Sequence, residues 1–180
     1  MSPNRPTYSD APDQFERRAF RRALGHFPTG VTIITTRAAH GDAVGLTVTS
    51  FNSVSLRPPL ILWSLGVRSP NLPRFRECRH YAVNVLAEGQ AELAHRFGSS
   101  QAAKFDGATW REGLGGAPVL EGCAAHFECR NEFCHPGGDH VIFVGQVERF
   151  ESFNRASLLF ARSAYHRVGE AAEDGGFSRI

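Results

Sequence analysis

The densest cluster of small hydroxyl side chains lies between residues 47 and 55, where the chain reads Thr-Val-Thr-Ser-Phe-Asn-Ser-Val-Ser. Strand propensity accounts for the threonines and valines, but not for so many hydroxyls and an amide running into Pro58 and Pro59. Hydroxyls and backbone N–H groups at alternating depth form the surface that a flat polar heterocycle with a ribityl chain requires. A polar edge strand is the alternative interpretation of this segment.

A second segment suited to binding chemistry is Ser69-Pro70-Asn71. The pattern predicts the start of a short helix, with Ser69 as the N-cap and Pro70 at the first helical position. The unpaired N–H groups and the dipole at such a start favour a phosphate. An ordinary N-cap without a ligand is the alternative here.

The sequence lacks the motifs of nucleotide-binding folds and of acyl transfer. Gly113-Leu-Gly115-Gly116 follows no predicted strand, and Pro118 stands where a helix would have to begin, so it is not a dinucleotide fingerprint. A Gly-x-Ser-x-Gly elbow does not occur in the chain, which leaves acyl-transfer chemistry without an obvious nucleophile.

Cysteines and histidines between residues 123 and 140 raise the question of a zinc site; they are Cys123, Cys129, Cys134, His135 and His140. Structural zinc prefers two cysteines separated by two to four residues. Cys123 and Cys129 lie on one predicted strand, which would separate them by about 20 Å. The spacing therefore favours small buried hydrophobic residues and no metal site, and one equivalent of zinc in purified protein would overturn this interpretation.

Composition sets the broad class of the protein. The 180 residues suit one globular domain, and the formal net charge of +2 is too small for a phosphate-backbone binder by charge alone. The longest apolar runs are too short for a transmembrane helix, and residues 1–12 are polar, without a hydrophobic signal segment. We therefore expect a cytoplasmic protein with reduced cysteines and with neither nucleic acid nor membrane as partner.

Hydrophobic periodicity predicts the elements that position these residues. Helices are expected from Asp13, as N-cap, to about His26 and over Gln90–Phe97, and strands over Val31–Thr36, Val44–Phe51, Leu60–Leu65 and Tyr81–Leu86. Residues 123–134 alternate as a strand, which a turn at 136–139 joins to a return strand over Val141–Phe150. Residues 98–118 are expected to be irregular, with Phe105 and Trp110 as apolar anchors.

About seven strands without regular strand–helix alternation predict a mainly β fold, an antiparallel barrel with short flanking helices. We expect one domain over residues 13–168, between flexible tails at 1–12 and 169–180.

An ordered series of motifs resembles the short-chain flavin reductase family, the reductase components of two-component flavin-dependent monooxygenases. The series comprises Phe27-Pro-Thr-Gly-Val31, Gly45 to Leu56 followed by Pro58-Pro59, Tyr81-Ala-Val-Asn-Val-Leu86, the 91–97 helix, Gly138-Asp-His140 with Val144-Gly-Gln146, and Tyr165-His166. It covers residues 20–168 in the order that the family shows. Arg57 before the two prolines and Val48 depart from the commonest pattern.

The resemblance implies a split β-barrel homodimer that binds FMN or FAD. It assigns flavin binding to Thr29, Thr47, Val48, Thr49, Ser50, Ser53, Val54, Ser55, Ser69, Asn71, Phe97, Lys104 and Phe105, with Thr49 and Ser50 near flavin N5. It assigns the nicotinamide to Asp139, His140 and Tyr165. Lys104, the only lysine, would lie near the phosphate end of the flavin.

The implied activity is hydride transfer from NADH or NADPH to the flavin, without a catalytic acid or base, followed by transient transfer of reduced flavin to a monooxygenase. A basic cluster beside His140 is not evident in the sequence, which slightly favours NADH, but Arg130 and Arg167 could reach a 2′-phosphate, so the choice between NADH and NADPH stays open. The choice between FMN and FAD stays open. Two alternatives remain: a flavin-binding barrel without turnover, for storage or sensing, and a zinc- or heme-binding barrel.

Overall fold

The structure, a computed structural model, describes residues 14–38, 41–101 and 103–169. Its helices are α1 (Gln14–Leu24), α2 (Leu72–Glu77) and α3 (Ala91–Gly98), with 3₁₀ turns at Glu88–Gln90 and Leu114–Gly116. Its strands are β1 (Thr29–Gly30), β2 (Thr32–Arg37), β3 (Ala43–Val48), β4 (Asn52–Leu56), β5 (Pro59–Gly66), β6 (His80–Val85), β7 (Trp110–Glu112), β8 (Pro118–Leu120), β9 (Ala125–Gly137), β10 (His140–Ser152), β11 (Leu159–Ala161) and β12 (Ala164–His166). None of these helices is long and apolar enough to cross a membrane. The predicted N-cap Asp13 and, apart from Gly169, both predicted tails lie outside the described residues.

Seven strands form one antiparallel sheet in the order β3-β2-β6-β9-β10-β5-β4. β3 and β4 stand at opposite edges of this sheet, although only residues 49–51 separate them in the chain. Because so short a link reaches roughly 14 Å at most, the sheet has to curl until its edges meet. Ser50 Oγ holds the junction: it accepts a hydrogen bond from Ser64 N at 2.9 Å and donates to Ser64 O at 3.3 Å. The predicted antiparallel barrel with short flanking helices is confirmed.

Aromatic side chains fill the barrel interior. Trp63 and Phe143, register partners on β5 and β10, stack with ring centroids 4.5 Å apart. Phe75 and Tyr81 meet Trp63 edge-on at 5.0 and 5.7 Å, and all four side chains are buried. A second apolar cluster anchors α3 against the barrel through Phe97 and comprises also Val31, Ile33, Leu86, Ala94, Leu120, Cys123 and Leu158.

The start of α2 differs from its prediction. The helix begins at Leu72 with Asn71 as N-cap, so the predicted N-cap at Ser69 is wrong. Ser69 instead opens a turn that precedes the helix: its carbonyl accepts from Leu72 N at 3.1 Å and its hydroxyl from Asn71 N at 3.3 Å. The reason is that Pro73, not Pro70, occupies the first helical turn.

Two further predictions were incomplete. The predicted strand over Val44–Phe51 ends at Val48, because the chain leaves one sheet edge there and crosses to the other. The 98–118 segment contains β7 and ends at β8, and the two strands pair with each other, with Trp110 opposite Leu120. Phe105 and Trp110 pack against the cluster under α3, as expected of apolar anchors.

The long hairpin of β9 and β10 is confirmed, with a turn of two residues, Gly138-Asp139, in place of the four predicted. Gly138 has φ +71°, which suits glycine at the first turn position. On β9, the face that carries His126 and Glu128 is buried in addition to the face that points into the core, because the β7–β8 segment covers it. Glu128 Oε1 lies 3.1 Å from Arg111 Nη1, and its Oε2 accepts from Leu114 N at 2.7 Å.

Candidate functional site

A pocket of about 540 Å³ opens beside β3, between α3, the start of α2 and the loop after α3. It is lined by Asp42, Ala43, Val44, Gly45, Leu46, Thr47, Ser69, Pro70, Asn71, Arg74, Phe97, Gly98, Ser99, Ser100, Gln101, Lys104 and Phe105. We call it the β3 pocket. Six of the thirteen predicted flavin residues line it: Thr47, Ser69, Asn71, Phe97, Lys104 and Phe105.

Close packing of α3 on β3 forms the apolar wall of the β3 pocket. Gly45 permits this approach, because a Cβ there would lie only 2.6 Å from Phe97 Cε1. Phe97 meets Phe105 edge-on, with ring centroids 4.9 Å apart. Thr47 Oγ1 donates to Ala94 O at 2.7 Å, which links the strand to the helix. This hydroxyl proton is therefore not available to a ligand.

Cations and small polar groups occupy the other side of the pocket. Arg74, on the exposed side of α2, donates from Nη1 to Pro70 O at 3.2 Å and retains further N–H groups. Lys104 Nζ donates to Phe97 O at 2.9 Å and lies 3.5 Å from Gly45 O. Partial burial lowers the pKa of the Lys104 ammonium from its usual value. Asp42 is the carboxylate among the lining residues, so two cations face one anion.

This set of donors fits a ligand with an aromatic ring and a phosphate. The ring would pack on Phe105, which the buried Phe97 ring supports from behind, while a phosphate would meet hydroxyl, amide, guanidinium and ammonium donors. FMN and FAD both combine an aromatic ring with phosphate. The residues present are therefore compatible with the predicted flavin.

The other seven predicted flavin residues do not line the pocket, and they have different environments. Val48 is buried in the barrel core, and Ser50 bonds to the Ser64 backbone. Thr29 lies in β1, where its hydroxyl oxygen is buried without a hydrogen-bond partner in the described part of the chain. Thr49, Ser53, Val54 and Ser55 follow the rim where β3 passes into β4, and the first three are exposed.

The predicted nicotinamide turn packs on the connection between β5 and α2, which also carries Ser69 on the polar side of the pocket. Asp139 O accepts from Val67 N at 2.9 Å, and Ser69 N donates to Gly66 O at 3.0 Å. His140 Nδ1 lies 2.7 Å from Asp139 Oδ1, and this hydrogen bond lowers the pKa of the Asp139 carboxyl. The contact orients the imidazole and leaves its Nε2 available to a ligand.

Tyr165 lies apart from this turn. It is half-buried on β12 and meets His95 of α3 edge-on, with ring centroids 4.8 Å apart. Partial burial raises the pKa of its phenol. The structure thus brings Asp139 and His140 together, but places Tyr165 against the flank of α3.

The cysteines are thiols without disulfide partners. Cys123 and Cys129 are buried, as predicted for small hydrophobic residues, and burial raises both their pKa values to about 12. A thiol so hard to ionise is a poor metal ligand or nucleophile. Within residues 14–38, 41–101 and 103–169, the structure holds no group of three or more His, Cys, Asp or Glu side chains placed to share a metal ion.

Eleven of the seventeen residues that line the pocket were not among those predicted, including Asp42, Arg74 and the Ser99-Ser100-Gln101 loop. Arg74 follows Ser69-Pro70-Asn71 by about one helical turn, which was a usable signal. The loop gave only a weak one, because polar residues after a helix are common in any protein.

Comparison with known proteins identifies relatives over most of the chain. Residues 24–169 match the flavin reductase like domain. The chain is 44% identical over 150 residues to FMN reductase (NADH) SmoA of Agrobacterium fabrum, across 83% of this chain and 85% of that protein. It is 38% identical over 156 residues to the flavin-dependent monooxygenase reductase subunit HsaB of Mycobacterium tuberculosis, across 84% and 82%. Its fold matches NADH:FAD oxidoreductase SgcE6 of Streptomyces globisporus, solved with NAD and FAD fragments, with a TM-score of 0.84 and 35% identity across 92% and 100%.

Proposed function

This chain belongs to the flavin reductase-like domain family, and we propose that the β3 pocket is the place where it binds its flavin. It is an NAD(P)H-dependent flavin reductase that reduces FMN or FAD and supplies the reduced flavin to a monooxygenase. The observation that carries the placement is the division of the pocket into an aromatic wall and a cationic side.

The phosphate end of the flavin is assigned to Ser69, Asn71 and Arg74, with Lys104 closing the same side. The hydroxyl and amide of the first two residues supply directed hydrogen bonds, and the two cations supply charge. The isoalloxazine is assigned to the wall of Phe97 and Phe105. This orientation uses every cation that lines the pocket.

The rim residues Thr49, Ser53, Val54 and Ser55 are assigned to the open side of the flavin site. Three of them are exposed in a single chain, on the link and edge strand that close the barrel. Ser50 supports this rim indirectly, since its hydroxyl is bonded to the Ser64 backbone. Val48 supports β3 from the barrel core, and a role for Thr29 stays a prediction.

The bound flavin supplies the redox chemistry, accepting a hydride at N5 from nicotinamide C4. The chain's own residues bind and align. Phe97 and Phe105 exclude water from one side, and Arg74 and Lys104 neutralise charge at the phosphate end. His140, held through Nδ1 by Asp139, presents Nε2 to the nicotinamide nucleotide. A general acid or base would not be needed, because the two bound rings would supply the hydride chemistry and the residues named here would only align them.

A homodimer is proposed on the basis of unpartnered apolar side chains. On and after α1, Phe20 is 64% exposed and Phe27 is 75% exposed, and Leu56 on the edge strand is 71% exposed. Such a spread of exposed large apolar residues is typical of a surface that another chain covers. A second copy would also complete the open rim of the flavin site.

NADH is the proposed reductant, since SmoA and SgcE6 are both named for NADH. The monooxygenase partner is proposed from the name of HsaB, a reductase subunit of a flavin-dependent monooxygenase. A cytoplasmic location is favoured by four cysteines with unpaired thiols, which suit a reducing compartment.

The test is steady-state oxidation of NADH and of NADPH by the purified protein, with FMN and with FAD. We expect turnover that depends on added flavin and is faster with NADH. Absence of turnover with either flavin, in protein that still binds flavin by fluorescence titration, would leave only the binding function. Gel filtration with light scattering measures the oligomeric state, and a monomer would refute the proposed dimer.

A further inference from the structure

A second cleft lies outside the β3 pocket, between the end of α1 and the turn that joins β11 to β12. Its volume is about 450 Å³. Six residues line it: Arg21, Arg22, Gly25, His26, Arg162 and Ser163. We call it the α1 cleft.

The α1 cleft gathers positive charge without a matching carboxylate. Among the described side chains, Arg21, Arg22 and Arg162 take part in no ion pair. Arg162 Nη2 donates to His26 Nδ1 at 3.2 Å, so its guanidinium is held beside the end of α1. The end of α1 contributes only about half a negative charge through its dipole. Among the residues that the structure describes, most of the charge in the cleft is therefore uncompensated.

The backbone holds Arg162 in this position at a cost. Arg162 and Ser163 have φ of 49° and 63°, the pattern of a type I′ turn, which favours Asn-Gly over bulkier residues. Arg162 N donates to Gly25 O at 2.9 Å, which fixes the turn against the end of α1. An arginine kept in a conformation that disfavours it points to a use for its side chain.

We propose that the α1 cleft is an anion site that binds a phosphate group through Arg21, Arg22 and Arg162. Guanidinium groups match phosphate oxygens with paired hydrogen bonds, and three of them suit a multiply charged phosphate better than a single carboxylate. Two sources have this chemistry: the phosphates of the nicotinamide dinucleotide, and a free phosphate or nucleotide. The sequence favours the dinucleotide as the source, because Tyr165, which is predicted to bind nicotinamide, follows Arg162 by three residues.

Isothermal titration calorimetry with inorganic diphosphate tests the site on the full chain without flavin or NADH. We expect the Arg22→Gln/Arg162→Gln variant to bind diphosphate at least tenfold more weakly than the unaltered protein. The control is Arg18→Gln/Arg149→Gln, which removes the same charge from exposed positions outside the cleft and should retain affinity. Undetectable binding to the unaltered protein, equal binding by the cleft variant, or an equal loss in the control would each overturn the proposal.

Arg162→Asn separates binding from structure. Asparagine suits the turn better than arginine, so the melting temperature should stay equal or rise, while affinity for diphosphate should fall. A fall in melting temperature with unchanged affinity would show that Arg162 serves the fold alone, and would overturn its role in the site.

Kinetics identify the source of the phosphate. If diphosphate competes with NADH, and Arg22→Gln/Arg162→Gln raises KM for NADH about tenfold with little change in kcat, the dinucleotide occupies the cleft. If diphosphate binds but KM is unchanged, the ligand is a free phosphate or nucleotide; both results support the site. Because the titration needs no turnover, diphosphate binding by a protein that oxidises no NADH would refute the proposed function and leave this site intact.

Discussion

Gly45 marks the closest approach of α3 to β3, and Gly45→Ala tests whether that approach shapes the flavin pocket. A Cβ at this position would lie 2.6 and 2.7 Å from two atoms of the Phe97 ring and 3.2 Å from Phe105. Since ordinary van der Waals contact begins at about 3.4 Å, the Phe97 ring would have to retreat by roughly 0.8 Å. Phe97 is fully buried, so the helix has to move with it.

We expect Gly45→Ala to lower the free energy of unfolding by about 0.5–2 kcal/mol. Overpacking a core costs about 1–3 kcal/mol, and the lower entropy of the unfolded alanine chain offsets about 0.4–1 kcal/mol of that. Flavin affinity should fall as well, because the displaced ring is part of the pocket wall. Urea unfolding measures the first effect, and quenching of flavin fluorescence on binding measures the second.

Gly89→Ala is the matched control, because a Cβ at Gly89 meets no atom within 4 Å. In the double variant Gly45→Ala/Phe97→Leu, the smaller side chain should recover stability relative to the sum of the single changes, with a coupling above about 0.5 kcal/mol. It should not recover flavin affinity, since the aromatic wall is lost. If Gly45→Ala unfolds like the Gly89→Ala control and binds flavin normally, the reasoning is refuted.

Three further predictions concern single groups. His140→Ala should raise KM for NADH several-fold and spare flavin affinity, because the imidazole is assigned to the nicotinamide; steady-state kinetics with an unchanged KM would remove that role. Lys104→Met should weaken FMN binding by about 1.5–3 kcal/mol, the worth of a charged hydrogen bond, and leave riboflavin affinity unchanged because riboflavin has no phosphate; equal losses by fluorescence titration would assign Lys104 to packing. The pKa values of Cys123 and Cys129, raised to about 12 by burial, make the folded state hold protons that the unfolded thiols lose above pH 9. Stability is therefore complete below pH 9 and should fall above it by about 1.4 kcal/mol per pH unit per thiol, as measured by urea unfolding; an equally steep slope in Cys123→Ala/Cys129→Ala would exclude this cause.

Elements with a clear period were predictable to within a residue or two. The β-branched run predicted at Val31–Thr36 appears as β2 (Thr32–Arg37), and the alternating run predicted at Tyr81–Leu86 appears as β6 (His80–Val85). The α3 helix likewise follows from its amphipathic spacing, since Ala94 and Phe97 are the residues that it buries. Local spacing sufficed in these cases because each element buries one face of a regular repeat.

Hydrogen-bond detail at element ends was less predictable. Ser69 and Asn71 are both suitable N-caps, and only the folded turn decides between them. The burial of Glu128 depends on Arg111 and on Leu114, which lie 17 and 14 residues away in the chain. Polar residues on an alternating strand indicate two faces, but they do not reveal what covers the second.

Motif order named six of the seventeen residues that line the β3 pocket, and their contact with flavin stays a prediction. Thr47, Ser69 and Lys104 line one pocket as the resemblance implied, whereas Ser50 turned out to close the barrel. The sequence shows which residues carry hydroxyls but not the direction in which each hydroxyl points. The chain crosses from one sheet edge to the other here, and this crossing changes which atoms the side chains meet.

The sequence by itself determined the class of fold and the reaction family, and it named six of the seventeen residues that line the β3 pocket, since these follow from periodicity and from the order of short motifs. The tertiary structure alone decided how the sheet closes through residues 49–51. It alone also gathered Arg162 with Arg21 and Arg22, about 140 positions away in the chain. The physical reason is that spacing along a chain encodes the faces of single elements, while contacts between distant segments depend on which faces the packed barrel brings together.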